Sequence, residues 1–295
     1  MAGSTLGGLA AALRRGRNVD GGWGYYAGKA SRIEPTCWVA LCLARAETLP
    51  TDASDDASRW LAARQRPDGF IGDGTAEPPN VGFNGLAALA VRNSAAWSSE
   101  GATRLINGLG RTKGLALKND QDRQDNTLQG WPWIEESFSW VEPTAWCMLA
   151  MKISSALLPD RERAARIDEA ERLLLDRMCQ TGGWNYGNSN TLGRELSAHV
   201  PTTALALLAL QDRRDHPSVR KSIEYLTRSR LAESAGMALS LTSICLRVYG
   251  VPAPDVNERL AALAQKHAFF GNLHIAAMAL YSLTGPEHDV QDFRL

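Results

Sequence analysis

The chain has 295 residues, 44% of them hydrophobic and 22% charged, with 32 Lys plus Arg against 32 Asp plus Glu and a formal net charge of zero. This is an ordinary globular balance, sufficient for one large domain or two small ones. It lacks the basic excess of a nucleic-acid-binding surface, so no nucleic-acid partner is expected.

In chain order, Ser4–Arg15 reads as an amphipathic outer helix. It is followed by DGGWGYYAGKASRIEPTCWVALCLA from Asp20 to Ala44, whose segment Trp38–Ala46 is apolar nearly all round. A second amphipathic helix, Asp55–Arg66, precedes the weaker copy PDGFIGDGTAEPPNVGFNGLAALA, from Pro67 to Ala90. The third unit has its outer helix near Trp97–Leu109, then a connection of more than 30 residues, Gly110 to Glu142. That connection ends in QGWPWIEESFSWVEPTAWCMLAMK, from Gln129 to Lys152. The fourth pairs Arg163–Cys179 with TGGWNYGNSNTLGRELSAHVPTTALALLAL, from Thr181 to Leu210. Two further pairs lack the Gly-Gly-Trp signature: Ser218–Thr227 with Ala235–Tyr249, and Val256–His267 with Asn272–Leu283. One-sided apolar stripes mark the outer helices, and all-round apolarity marks buried inner ones.

Six such pairs, approximately residues 4–47, 55–93, 97–154, 163–212, 216–250 and 255–285, imply an all-α repeat architecture within a single domain. A helix pair cannot bury its own apolar face, so the pairs must stack. The inner helices stay apolar through the last unit, which favours closure into an (α/α)₆ toroid around a central apolar cavity. Pro35, Pro143 and Pro201 are expected at the first helical position. Gly21, Gly22, Gly182 and Gly183 are expected at positive φ, with Trp23, Phe70, Trp131 and Trp184 filling gaps between pairs.

Five scattered cysteines without a CxxC pair suggest a reducing, cytoplasmic setting. The N-terminal stretch is a poor signal peptide. The longest weakly charged stretch, Ala235 to Leu246, is too short to span a bilayer.

The GGW-loop-PTxxAL cassettes resemble the repeats of squalene–hopene cyclases, other class II terpene cyclases and protein prenyltransferase β subunits, over roughly residues 5 to 285. The resemblance implies a toroid whose aromatic-lined cavity holds a prenyl or polyprenyl chain, with no cofactor for the cyclase chemistry. Class II cyclases protonate their substrate with an Asp-x-Asp-Asp motif at the start of one inner helix. The matching segment here reads Trp140-Val141-Glu142-Pro143-Thr144-Ala145, which puts the central carboxylate on Glu142 and lacks the other two. Prenyltransferases hold zinc with Asp, Cys and His. The matching helix starts offer Glu142, Thr144 and the region of His199 without a Cys, since Cys147 lies one turn further in. No metal site is therefore expected.

As a general acid, Glu142 needs a pKa raised by burial, which an apolar cavity provides and a helix N-terminus opposes. The competing reading is a structural helix-start Glu: Glu34 fills the same slot in the first cassette, which favours it, whereas Val200 fills it in the fourth, so the cassette does not require Glu. His199, or His274 near the last inner helix, could take a proton at the end of a cation cascade. Tyr25, Trp38, Trp133, Trp140, Trp146 and Tyr186 are candidate walls, since aromatic faces attract cations. Asp120, Asp122 and Asp125 could hold Mg²⁺ on a diphosphate substrate, with Arg32 meeting its anionic group. Alternatives to a cyclase are a prenyltransferase working with a helical partner, a non-catalytic isoprenoid-binding or scaffolding toroid, and more remotely an (α/α)₆ glycosidase with paired carboxylates. Transient membrane contact, a protein partner or a second copy all remain compatible with these readings.

Overall fold

The computed structural model describes residues 2–45, 52–73, 78–118, 124–157, 160–284 and 290–295. Six outer helices, α1 (Ala2–Arg15), α3 (Asp52–Ala62), α5 (Ser99–Arg111), α7 (Asp160–Asp176), α9 (Pro217–Ser229) and α11 (Pro254–His267), alternate with six inner ones. The inner helices are α2 (Ile33–Arg45), α4 (Val81–Val91), α6 (Val141–Ile153), α8 (Val200–Ala209), α10 (Gly236–Tyr249) and α12 (Leu273–Leu283). Each inner helix packs on the next and α12 packs on α2, so the inner ring is closed. Each outer helix lies against the inner helix before it, and α1 against α12, which carries the same pattern across the junction. Among the described residues the only strands form a two-residue hairpin in the fourth cassette, Asn190–Thr191 with Arg194–Glu195.

The cassette has a hydrogen-bonding explanation. The backbone N–H of Trp23 donates to Thr36 Oγ1 at 3.0 Å, that of Trp131 to Thr144 Oγ1 at 2.9 Å, and that of Trp184 to Thr203 Oγ1 at 2.9 Å. Each threonine hydroxyl donates back to the same tryptophan's carbonyl. The indole Nε1 then donates to a carbonyl of the preceding outer helix: Leu13, Leu109 and Leu174, respectively. The fourth residue of each of these inner helices, the threonine of Pro-Thr in the first and third cassettes and the second threonine of Pro-Thr-Thr in the fourth, thus receives the Gly-Gly-Trp turn, and the turn caps the outer helix. In the weaker copy Asn84 replaces the threonine, accepting from Ile71 N–H and donating to Ile71 O. Ile71, rather than Phe70, therefore holds the tryptophan slot.

A second set of bonds joins neighbouring units. Helix first-turn N–H groups have no intrahelical partner. Val81 N–H donates to Trp133 O, Val141 to Tyr186 O and Leu273 to Tyr25 O. Ile33 N–H donates to the Asp73 carboxylate at 2.7 Å. Tyr25, Asp73, Trp133 and Tyr186 all stand two residues past the tryptophan slot. Each clips the start of the preceding inner helix, and Tyr25 clips the last helix from the first cassette.

Two sequence expectations are corrected here. The inner helices begin earlier than the prolines: Pro35 and Pro143 are third helical residues and Pro201 is second. All three remain in the first turn, where a missing N–H breaks no helical bond. Gly21, Gly182 and Gly183 have positive φ, but Gly22 does not. Gly22 is instead required for space, since a Cβ there would lie 2.5 Å from the Trp60 indole nitrogen.

The far end of the ring is stoppered by the C-terminal segment. Phe293 is fully buried against Trp38, Trp146 and Tyr281, with ring centroids 5.3 to 6.2 Å apart. Gln211 holds its carbonyl, Arg294 reaches Arg247 O, and Tyr281 donates to Asp292.

Candidate active site at the mouth of the ring

Residues four apart share one helix face. Glu34 and Trp38 are such a pair on α2, and Glu142 and Trp146 on α6. Trp38 and Trp146 meet edge to face at 6.2 Å, although their helices are separated in the ring by α4. The two tryptophans therefore span the ring axis, and the two carboxylates stand one turn above them, at the mouth.

Glu142 accepts a hydrogen bond from a neighbouring inner helix. Its Oε1 accepts from Thr202 Oγ1 of α8 at 2.9 Å. Burial pushes its carboxyl above the ordinary carboxylate range; the Thr202 bond opposes this and the nearby charge of Glu34 adds to it. Desolvation thus outweighs the stabilisation of the charged form.

Glu34 lies in a different setting. Its Oε2 accepts from Tyr25 Oη at 2.5 Å, and its Oε1 lies 3.4 Å from His274 Nε2. Burial raises the Tyr25 phenol far above its ordinary value, with Glu34 adding to the effect, so Tyr25 remains the donor. Burial lowers the pKa of His274 despite Glu34, so its ring is neutral beside the carboxylate. Tyr25 and His274 pack edge to face at 5.7 Å.

The remaining candidates divide into other groups. Trp133 packs on Phe83 at 5.4 Å beside the start of α4. Trp140 lies against Phe138, and Tyr186 against His199, on the rim between the third and fourth cassettes. Arg32 pairs with Asp73 at 3.5 Å. Asp125 accepts from Thr127, and its backbone N–H donates to Asp176. Asp120 and Asp122 lie outside the described residues. Arg32 and Asp125 thus belong to separate polar clusters, and among the described residues no three His, Cys, Asp or Glu side chains gather as metal ligands. Cys147 is fully buried, with its thiol directed at Val81 O and its pKa pushed up by burial, unlike a zinc thiolate.

The long connection of the third unit is stapled at its base. Arg166 of α7 stacks over Trp131 at 3.6 Å and donates to the carbonyls of Thr112, Gln129 and Gly130. Burial lowers its pKa to about 10, which still leaves it charged at neutral pH. Arg166, Thr202, Tyr281 and Phe293 were not singled out by sequence reasoning. Thr202 sits in the quoted Pro-Thr-Thr, but nothing local marks its hydroxyl as a partner for Glu142.

No protein-family model matches the chain, and no curated protein matches its sequence. Solved structures do match. The apo form of the type II terpene cyclase MstE from Scytonema superposes with a TM-score of 0.60 at 18% identity, covering 96% of each chain. A variant of that cyclase in complex with its substrate, geranylgeranyl dihydroxybenzoate, gives 0.59 at 17% over the same shares. An alpha-amylase from Clostridium perfringens gives 0.66 at 11%, covering 93% of this chain and 96% of the other. No helix among the described residues is long and apolar enough to cross a membrane. The chain has the α/α toroid fold of the class II terpene cyclases.

Proposed function

We propose that the protein cyclises an isoprenoid chain bound at the mouth of its ring, with Glu142 as the general acid. The observation that carries this reading is a buried carboxyl with a raised pKa above an aromatic floor, facing a second carboxylate across the axis. A protonated Glu142 delivers its proton to a carbon of a terminal alkene. The π electrons form the new C–H bond and leave a tertiary cation, which the next alkene attacks to close a ring. Trp38 and Trp146 offer π faces to that cation, each contributing roughly 0.5–2 kcal/mol. The charge of Glu34 stabilises it further. Loss of a proton to Glu34 restores an alkene, so the overall change is an isomerisation and requires no cofactor. Likeness to a cyclase with a geranylgeranyl substrate supports the substrate class. The alpha-amylase likeness is one of fold.

The test is turnover of a polyprenyl series by wild-type and Glu142→Gln protein. General acid catalysis contributes roughly 10²–10⁴-fold, so cyclised product should fall by at least about 100-fold in the variant. Unchanged product formation would remove Glu142 from the mechanism.

A further inference from the structure

A cavity of about 380 Å³ lies off the ring axis, between the third and fourth cassette loops. Neither carboxylate of the mouth nor either tryptophan of its floor lines it. Its size falls within the range of small-molecule sites. One wall is the tilted pair Phe138 and Trp140, with centroids 5.0 Å apart. Another is Tyr186 edge to face with His199, at 4.7 Å, and Leu196 completes the apolar surface. Phe138 and Tyr186 remain about half exposed, at 49% and 51%.

The lining contains no Asp, Glu, Lys or Arg. A charged ligand would lose its hydration there without an ionic partner, so the occupant is neutral. Part of the polar capacity is already taken up. Asn185 bonds the backbone of Gly187 and Asn188, Asn188 accepts from Gln124, and Ser139 accepts from Gly130 N–H. By contrast, the His199 imidazole lines the pocket with no hydrogen bond at either ring nitrogen, and of the two only Nδ1 is shut away from solvent. A hydroxyl both donates and accepts, so it can pair with an imidazole nitrogen whether or not that nitrogen carries a proton. A sugar would bring several hydroxyls to a lining that can pair with few of them.

We propose that this pocket binds a neutral, planar aromatic ring carrying a hydroxyl group, stacked between the Phe138–Trp140 and Tyr186–His199 walls and hydrogen-bonded to His199. This is independent of the role of Glu142. Titrating naphthol into the intact protein should shift the Trp140 indole N–H resonance, assigned with Trp140→Phe, along a saturable curve that phenol competes and benzoate and glucose do not. His199→Phe keeps an aromatic edge and removes the nitrogen, and should weaken binding by about tenfold. Tyr186→Ser, on an exposed loop, tests the same wall without touching His199 if His199→Phe unfolds, and should also weaken binding. Glu142→Gln should bind naphthol as the wild type does, whatever happens to its turnover. The proposal is overturned if Trp140 shows no saturable shift, if the wall variants bind unchanged, or if glucose or benzoate competes equally. Loss of naphthol binding in Glu142→Gln would also overturn it, since the ligand would then sit in the mouth.

Discussion

Thr144 carries two bonds at one oxygen, accepting from Trp131 N–H and donating to Trp131 O, both within the core. Valine has nearly the same shape and neither bonding capacity. Thr144→Val should therefore leave a buried N–H unpaired and cost about 1–3 kcal/mol, measured as a shift in the denaturant midpoint at unchanged slope. Glu142 presents the opposite case, a residue whose ionised form is disfavoured by its place in the fold. Its native pKa lies above its unfolded value, so the native state binds the proton more tightly. The associated stability is fully present below the ordinary carboxylate pKa and is lost as pH rises through the raised one. Glu142→Gln should thus match wild type in urea at about pH 4 and become the more stable protein at about pH 8. Equal differences at both pH values would show that the carboxyl titrates normally. Glu34 and Glu142 share one slot, but the fourth cassette runs one residue later: Thr203, not Thr202, bonds Trp184 and the helix starts at Val200, so Pro201 rather than Val200 is their counterpart. The residues that separate the roles of the two glutamates come from other units: Tyr25 and His274 for one, Thr202 for the other. Side-chain chemistry at the slot was legible, whereas its environment depended on contacts across the ring.

Between elements, small residues set the spacing. A Cβ on Gly85 of α4 would lie 2.8 Å from the Cys147 backbone nitrogen of α6. Backbone cannot move aside as a flexible side chain does, so Gly85→Ala should force the two helices apart and cost about 1–3 kcal/mol, read from thermal unfolding. Another link joins α6, α7 and the turn after α8. Lys152 donates to Glu171 and Asp212 at 2.7 Å and to Ala209 O. Its side chain and that of Glu171 are nearly inaccessible, at 6% and 7%. Lys152→Met leaves Glu171 with Arg213 alone, and should cost about 3 kcal/mol by the same assay. Helix placement was largely legible because periodicity reports burial directly. The starts were displaced because proline tolerates several first-turn positions, and the true starts are set by carbonyls two residues past the tryptophan slot of the adjoining cassette. Arg166 illustrates what periodicity misses. On the α7 stripe it reads as a surface charge, yet it is buried under the third cassette and paired with backbone.

For the whole molecule, closure of the inner ring and the C-terminal stopper together fill the axis with packed aromatic side chains. Phe293 contributes the lowest ring of the aromatic column, and its removal should cost about 3–5 kcal/mol on the scale of buried Phe→Ala changes. Phe293→Ala should also admit a small apolar probe such as xenon to the space beneath Trp38 and Trp146, which wild type excludes. The tail was opaque in the sequence because it repeats nothing, and a single aromatic residue near a terminus has no periodicity to indicate burial. The bond from Leu273 N–H to Tyr25 O bears on how the protein is made. It joins the first cassette to the last inner helix, which leaves the ribosome about 250 residues later. Until then both faces of the growing arc are uncovered, and no terminal repeat is built as a polar end. The nascent chain therefore passes through a long interval with apolar helix faces exposed, and the ring cannot close before the last inner helix has emerged.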